Sequence, residues 1–442
     1  MTTKAKRFSS LELKWILYDV GNSAFTLLAA VIIPIYFHSV AAAEGLSEVD
    51  YQAIWGYVTS GITLVVAILG PVLGTFADYD GFKKPLFFFA AIIGVIACAA
   101  MGIPLPLIAF LAVYVIAKIS YSVSLVFYDS MLSDVTDMER VDKISSHGYA
   151  WGYIGSCIPF IISIVIIMFL NLPAAVSMPI TFALNAVWWF AFTLPLTKSY
   201  KQIHFVAREA KAVRSGFKRL LSVFTEKSPN HKGIILFLIA FFLYIDGVYT
   251  IIDMATTFGT ALGFEQAELL IALLITQIVA FPCAIISGVL AQKFENGKLI
   301  IIFIAGYTGI AVFAVFMQYS WQFWLLAVCV GLLQGGVQAL SRSYFTKIIP
   351  LERSGEYFGI LDVFGKGAAF IGTLLVAAVT QWTNNINLGV IPIACLLALG
   401  LIVFIIAHFE INKHKKSAAA NSQGAHTSAE AEKEAAATEK DA

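Results

Sequence analysis

Charge is scarce in this chain. Only 13% of its 442 residues are Asp, Glu, Lys or Arg, while 59% are hydrophobic; a soluble domain carries about twice that share of charge. Four runs, 52–77, 148–197, 299–341 and 367–409, contain no charged side chain at all. No soluble fold hides that much apolar surface, so a water-soluble enzyme or binding module is excluded. Each run meets or exceeds the roughly 20 residues a helix needs to cross the hydrocarbon core of a bilayer. The three longest must cross twice, and each has a polar or proline break near its middle, at 171–173, 318–322 and 381–387. Backbone amides in lipid need partners within the structure, and these runs lack the two-residue alternation of barrel strands. The spans are therefore helices.

Other absences narrow the chemistry. The five cysteines (98, 157, 283, 329 and 395) are isolated from one another inside apolar runs, and the seven histidines form no metal pattern, so no disulfide or metal framework is expected. The sequence has no G-x-x-x-x-G-K-[ST], H-E-x-x-H or G-x-S-x-G, which removes nucleotide-driven pumping and hydrolytic catalysis. An enzyme is not expected, nor a cofactor, nor a nucleic-acid partner.

What is present fits twelve spans: 12–38, 52–78, 86–103, 107–129, 147–170, 177–196, 234–260, 266–291, 299–318, 322–345, 356–380 and 388–409. Lysine and arginine occur in the loops of one side only, and the six opposite loops carry only acids, such as Glu44, Glu48, Asp50 and Glu265. The positive-inside rule then places both termini in the cytoplasm of a cell-membrane protein. The first apolar segment is too long for a signal-peptide core and is read as a retained helix.

The loop 198–233 divides the chain into six spans (1–197) and six (234–409). Nine basic and two acidic residues lie within 198–232, and Val206, Ala210, Val213, Phe217, Leu220 and Phe224 recur there at helical spacing. That pattern suits an interfacial helix on anionic headgroups or a solvated linker helix. The tail, 410–442, lacks Leu, Val and Phe beyond its first residues and is expected to be disordered. The halves echo each other: Gly74 to Asp78 matches Gly288 to Gln292 at an offset of 214, Glu139-Arg140 matches Glu352-Arg353 at 213, and Asp19 matches Asp246 at 227. Such a duplication is the trace of a transporter built from pseudo-symmetric bundles around a central site.

Gly74, Asp78, Gly81, Lys83 and Lys84 resemble the G-x-x-x-D-x-x-G-x-[RK]-[RK] loop of the major facilitator superfamily, at its expected place after helix 2. The acid and basic pair suit a bridge between helix ends in one conformational state, with glycine allowing the turn. The second copy has Gln292 in place of the acid and one inserted residue, which leaves that half without its equivalent ion pair. Further segments, Trp15 to Ser23, Ser145 to Gly155, Asp246-Gly247, and Gln338 to Ser343 with Phe358-Gly359, resemble the unidentified-major-facilitator branch, which includes vacuolar amino-acid effluxers of yeast autophagy. The resemblance implies an all-α membrane fold of two six-helix bundles, with helices 1, 4, 7 and 10 lining a central cavity.

Charges inside the membrane are costly unless they face protein or water. Apart from the loop motif they are Asp19, Lys118, Asp129, Asp246, Asp253, Arg342, Asp362 and Lys366, six of them on helices that the resemblance assigns to the cavity. Asp246 and Asp253, two turns apart, and Asp19 are the candidate proton-coupling residues. Asp246 is the principal one, and pairing with Lys118 or Lys366 is its structural alternative. Asp362 and Lys366 stand four apart, as an intrahelical ion pair or with Lys366 anchoring a substrate carboxylate. Arg342, Lys118, Asn22, Tyr18, Tyr121 and Tyr244 complete the candidate substrate contacts. The expected function is secondary transport of a small polar metabolite such as an amino acid, with a proton or sodium ion as partner, by a lipid-embedded monomer. A flippase or exporter of an amphiphile or glycolipid is the alternative, and a non-transporting nutrient sensor is a third reading.

Overall fold

The computed structural model describes residues 7–207, 222–225 and 230–413. Twelve helices in the described residues are long and apolar enough to span a membrane: α1 (Ser10–Ala43), α2 (Glu48–Ala77), α3 (Lys83–Ala100), α4 (Leu107–Ser130), α5 (Val141–Met168), α6 (Ala174–Ser199), α7 (His231–Ala261), α8 (Gln266–Lys293), α9 (Asn296–Val315), α10 (Ser320–Thr346), α11 (Ser354–Thr383) and α12 (Leu388–Lys413). Among those residues the only extended pairing is a single bridge, Tyr79 to Val206. The predicted interfacial helix lies largely outside the described residues, as does the tail beyond 413.

Local chemistry explains where the long apolar runs break. Asn171 and Asn384 adopt left-handed backbone (φ 49° and 50°) just past α5 and α11, which polar asparagine tolerates better than other side chains. The Gln322 side chain accepts the backbone N–H groups of Gln318 and Tyr319 and starts α10. At the start of α1, Ser9 and Glu12 form a reciprocal capping box. One stretch of α1, Leu28–Ile32, is a π-helical turn that ends two residues before Pro34, and the span continues to Ala43 rather than ending near 38. Helices α5, α9 and α11 begin earlier than hydropathy predicts, because their first turns carry polar residues that a hydropathy window counts as loop.

Each half has its own apolar core, one around Trp15, Phe25, Phe87 and Trp189, the other around Phe237, Tyr244, Phe345 and Phe404. Large apolar side chains such as Ile68, Ile96, Ile108 and Ile302 stay exposed on the outside, where a bilayer is the matching solvent. The halves meet chiefly along two helix pairs, α2 with α11 and α5 with α8, with α10 on α5 and α11 on α4 as further contacts. The α2–α11 approach is close enough to require glycine: a Cβ on Gly74 would stand 2.1 Å from the Gly355 carbonyl oxygen, and one on Gly355 would stand 2.4 Å from that of Gly74.

Candidate functional site: a central cavity and its closed end

A cavity of about 1170 Å³ lies between the halves, lined from α1, α2, α4, α5, α7, α8, α10 and α11 among others. Both ends of the twelve-helix array emerge on one face, called here the terminal face. The cavity runs from Asp19 and Arg342 toward the opposite, far face, where Pro34, Trp55, Gln381 and Ile386 line it. Toward the terminal face it is closed by three sets of bonds between the halves.

The first set is built on Arg342, near the end of α10. Its side chain crosses into the N-terminal half, where Nη1 donates to Asp129 Oδ1 at 2.8 Å and Nη2 lies 3.6 Å from Asp19 Oδ2. Nε and Nη2 donate to the hydroxyl and carbonyl of Ser145, both at 2.9 Å. The guanidinium also lies over the rings of Tyr149, Trp15 and Tyr128, at 4.3, 4.7 and 5.6 Å. A guanidinium suits this place because it offers a planar fork to carboxylates and a face to aromatics together. Gly148 leaves the room, since a Cβ there would meet Asp19 at 2.7 Å and Arg342 at 3.0 Å.

The second set is the turn after α2. Asp78 accepts the backbone N–H groups of Gly355 (2.7 Å) and Glu356 (2.9 Å), so a carboxylate from one half caps the first turn of α11 in the other. The cap places negative charge at the positive end of the helix dipole. Lys83 is wholly buried, donates to Ser354 Oγ at 2.9 Å and to the Ser130 carbonyl at 3.4 Å, and stands 3.7 Å from Asp134 and 4.0 Å from Asp78. Burial pushes Asp78 up to about 7, against the pull of Lys83 and of the two backbone donors. Gly81, at φ 75°, makes the turn, and Lys84 is half-buried at the start of α3. The linker's first residues strap this turn: Val206 N–H donates to the Asp78 carbonyl (2.8 Å), Gln202 Nε2 to the Ala77 carbonyl (3.0 Å), and Tyr200 to Asp134.

The third set joins α5 to α9 and α10. Asp142 accepts Asn296 Nδ2 (2.6 Å) and Ser343 Oγ (2.7 Å) and pairs with Lys347. The repeat had shown no acid for this latch at Gln292. The acid comes instead from the opposite half, in the first turn of α5. Asp142, Asn296 and Lys347 were not among the sequence-derived candidates.

Higher in the cavity, Asp362 and Lys366 form their predicted ion pair at 2.5 Å. Lys118 lies over the Tyr121 ring at 5.5 Å and lines the cavity together with Asp253. Tyr121 shares a hydrogen bond with Thr26 (2.7 Å), and Asn22 donates to the Tyr18 carbonyl and to Asp19. Three residues stand apart from the cavity lining. Tyr18 and Tyr244 are fully buried, with their hydroxyls on Ser124 and Ser341, both at 2.7 Å. Asp246 is buried between α7 and α11, where Oδ1 accepts the Gly372 N–H (3.1 Å) and the Thr250 hydroxyl (3.2 Å). Asp253 faces the cavity and Asp246 does not.

The family described as "Vacuole effluxer Atg22 like" matches residues 10–136 and 132–419. The chain is 39% identical to the uncharacterized MFS-type transporter YxiO of Bacillus subtilis, over 90% of this chain and 95% of that one. It is 24% identical to autophagy-related protein 22 of Vanderwaltozyma polyspora, over 64% of this chain and 61% of the yeast protein. Its fold resembles that of FucP, a major facilitator transporter solved in the outward conformation, with a TM-score of 0.70 and 13% identity over 90% of this chain and 98% of that one. The chain belongs to the Atg22-like branch of the major facilitator superfamily and is a multi-pass membrane transporter, not an enzyme.

Proposed function

We propose that this transporter moves a small zwitterionic metabolite of the amino-acid class by alternating access, coupled to protons, in a cell membrane with both termini cytoplasmic. The observation that carries the reading is the charge arrangement of the cavity. Lys118 and Lys366 offer sites for a carboxylate, and Asp253 and Asp362 offer sites for an ammonium group. A zwitterion exchanges partners with these pairs and leaves no charge unmatched, which matters where an unpaired buried ion costs several kcal/mol. The name of the matching family, a vacuole effluxer, agrees with export of such molecules.

A soluble substrate is favoured over an amphiphile by the packing of α2 on α11 and of α5 on α8, which closes the sides through which a lipid would enter. Among the described residues no cation pairs with Asp246, whose second oxygen is buried without a hydrogen-bond partner. A proton is the counter-charge such a site admits, and Asp253 offers a second acidic position within the cavity. The absence of basic residues from the far-face loops supports the orientation.

The test is uptake of a labelled amino-acid mixture into proteoliposomes under an imposed pH gradient, beside a fluorescent-lipid scrambling assay on the same vesicles. Gradient-dependent amino-acid uptake without lipid movement is the expected result. Lipid movement without amino-acid uptake would replace the reading with a flippase, and uptake that requires sodium would replace the coupling ion.

A further inference from the structure

The cavity's formal charges do not balance. Among the described residues lining it are four carboxylates, Asp19, Asp129, Asp253 and Asp362, and three cations, Lys118, Arg342 and Lys366. Asp362 has Lys366 at 2.5 Å, and Asp129 has Arg342 at 2.8 Å. Asp19 is left to share Arg342 at 3.6 Å, with Tyr128 donating to it at 2.9 Å and Asn22 at 3.3 Å. Two carboxylates thus share one guanidinium in the cluster that closes the terminal face.

We propose that Asp19 and Asp129 together hold one exchangeable proton, and that its arrival frees Arg342 and opens the terminal face. Resting on the transporter reading, this locates coupling at the closed end of the cavity and makes it a property of the gate. Water in the cavity delivers the proton from the far face. An O–H bond forms on one carboxylate, Arg342 keeps its own charge, and the attraction between the halves falls from two carboxylates to one. With the halves apart, the proton leaves to water on the terminal side. The surrounding titratable groups are the phenols of Tyr18 on α1, Tyr121 and Tyr128 on α4, Tyr149 and Tyr153 on α5, and Tyr249 on α7. Phenols ordinarily titrate near pH 10 and stay neutral over the range concerned. Asp362 of α11 also acts on Asp129, and it is neutralised by Lys366.

The experiment needs no substrate. Glu139 and Lys298, exposed on the terminal face in opposite halves, are replaced by spin-labelled cysteine in a background free of native cysteine. Label separations are measured in sodium-free lipid nanodiscs from pH 8 to pH 5. In the otherwise wild-type protein the long-separation population should grow as pH falls. In Asp19→Asn it should be large throughout, with the pH response reduced at least five-fold. Asp78 acts in the opposite sense. Its value in the closed latch is raised, so its support for closure is complete below the ordinary carboxylate range and is lost as pH rises through about 7. The difference between the two titrations therefore isolates the Asp19 cluster.

Should Asp19→Asn fail to fold, Asp129→Asn makes the same test. An unchanged titration in the carboxylate variant that folds would overturn the proposal and leave the transporter reading standing, as would opening driven by sodium at constant pH. A single separation under every condition would count against alternating access itself.

Discussion

At the start of α11 the capping acid, Asp78, comes from the other half and is wholly buried beside Lys83, which is buried as completely. At the start of α5 the acid is the helix's own Asp142, and the other half reaches it with Asn296, Ser343 and Lys347. The second latch is wetter, with the Lys347 side chain 23% exposed. An offset of 213 places Lys83 on Asn296, Ser130 on Ser343, Asp134 on Lys347, and Asp129 on its own partner Arg342. What the two halves share is therefore the place of several polar groups near the interface, while the two capping acids differ, Asp78 falling on Ala291 and Asp142 on Gly355 at that offset. The comparison teaches that a missing motif residue in one copy does not remove a latch, because the complementary group can stand on either side of the interface.

The comparison breaks most readily at the paired glycines. Gly74→Ala puts a methyl 2.1 Å from a backbone oxygen, whereas at Gly288 the nearest atoms are the Cβ and hydroxyl of Ser146, at 2.6 and 2.8 Å. Neither clash is relieved by rotating a side chain, since the Ser146 Cβ is fixed to its own backbone, but the overlap at Gly74 is deeper and is with the backbone itself. Gly74→Ala should therefore abolish the closed terminal face, and Gly288→Ala should reduce its population by less, as read by spin-label separation between positions 139 and 298.

Loss of an acceptor comes next. Asp78→Asn keeps the shape but removes one of two acceptors at the α11 cap and leaves Lys83 facing Asp134 alone. Losing a hydrogen bond to a buried group costs about 1–3 kcal/mol, so the closed population should fall by roughly a factor of ten or more, with ligand affinity at the cavity changed only a few fold. Strong loss of binding in that variant would show the turn to be part of the site.

The smallest effect belongs to the wetter latch. Lys347→Met should weaken closure less than Asp78→Asn does, because Asp142 keeps its bonds to Asn296 and Ser343, and with the Lys347 side chain 23% exposed the loss should shrink in molar salt, whereas the Asp78→Asn effect should not. Equal salt sensitivity at the two latches would erase the distinction drawn between them.

Much of this was legible in the sequence. The twelve spans follow from hydropathy, and their breaks follow from Asn171, Asn384 and Gln322. Every charge in the cavity was visible as an ionisable residue in an apolar run. Their pairing was not, because it depends on which way a side chain points from a helix end. Arg342, close to the terminus of α10, has the length to reach headgroups, and it turns into the other half because two carboxylates and three aromatic rings await it there. Asp142 and Asn296 were missed for a simpler reason: hydropathy placed the starts of α5 and α9 at 147 and 299, leaving both in loops. The repeat itself would have pointed to Asn296, since the offset that joins Arg140 to Arg353 also joins Lys83 to Asn296, whereas Asp142 falls on Gly355 and carries no such signal.

The most direct test of the account is to fasten the terminal face shut. The Ser354 hydroxyl donates to the Ser130 carbonyl at 3.2 Å, across the interface between the halves. With both residues replaced by cysteine in a protein free of native cysteine, oxidation should stop uptake of the labelled amino-acid mixture into proteoliposomes, and a reductant should restore it. Uptake at an undiminished rate by the fully cross-linked protein would contradict alternating access through this interface.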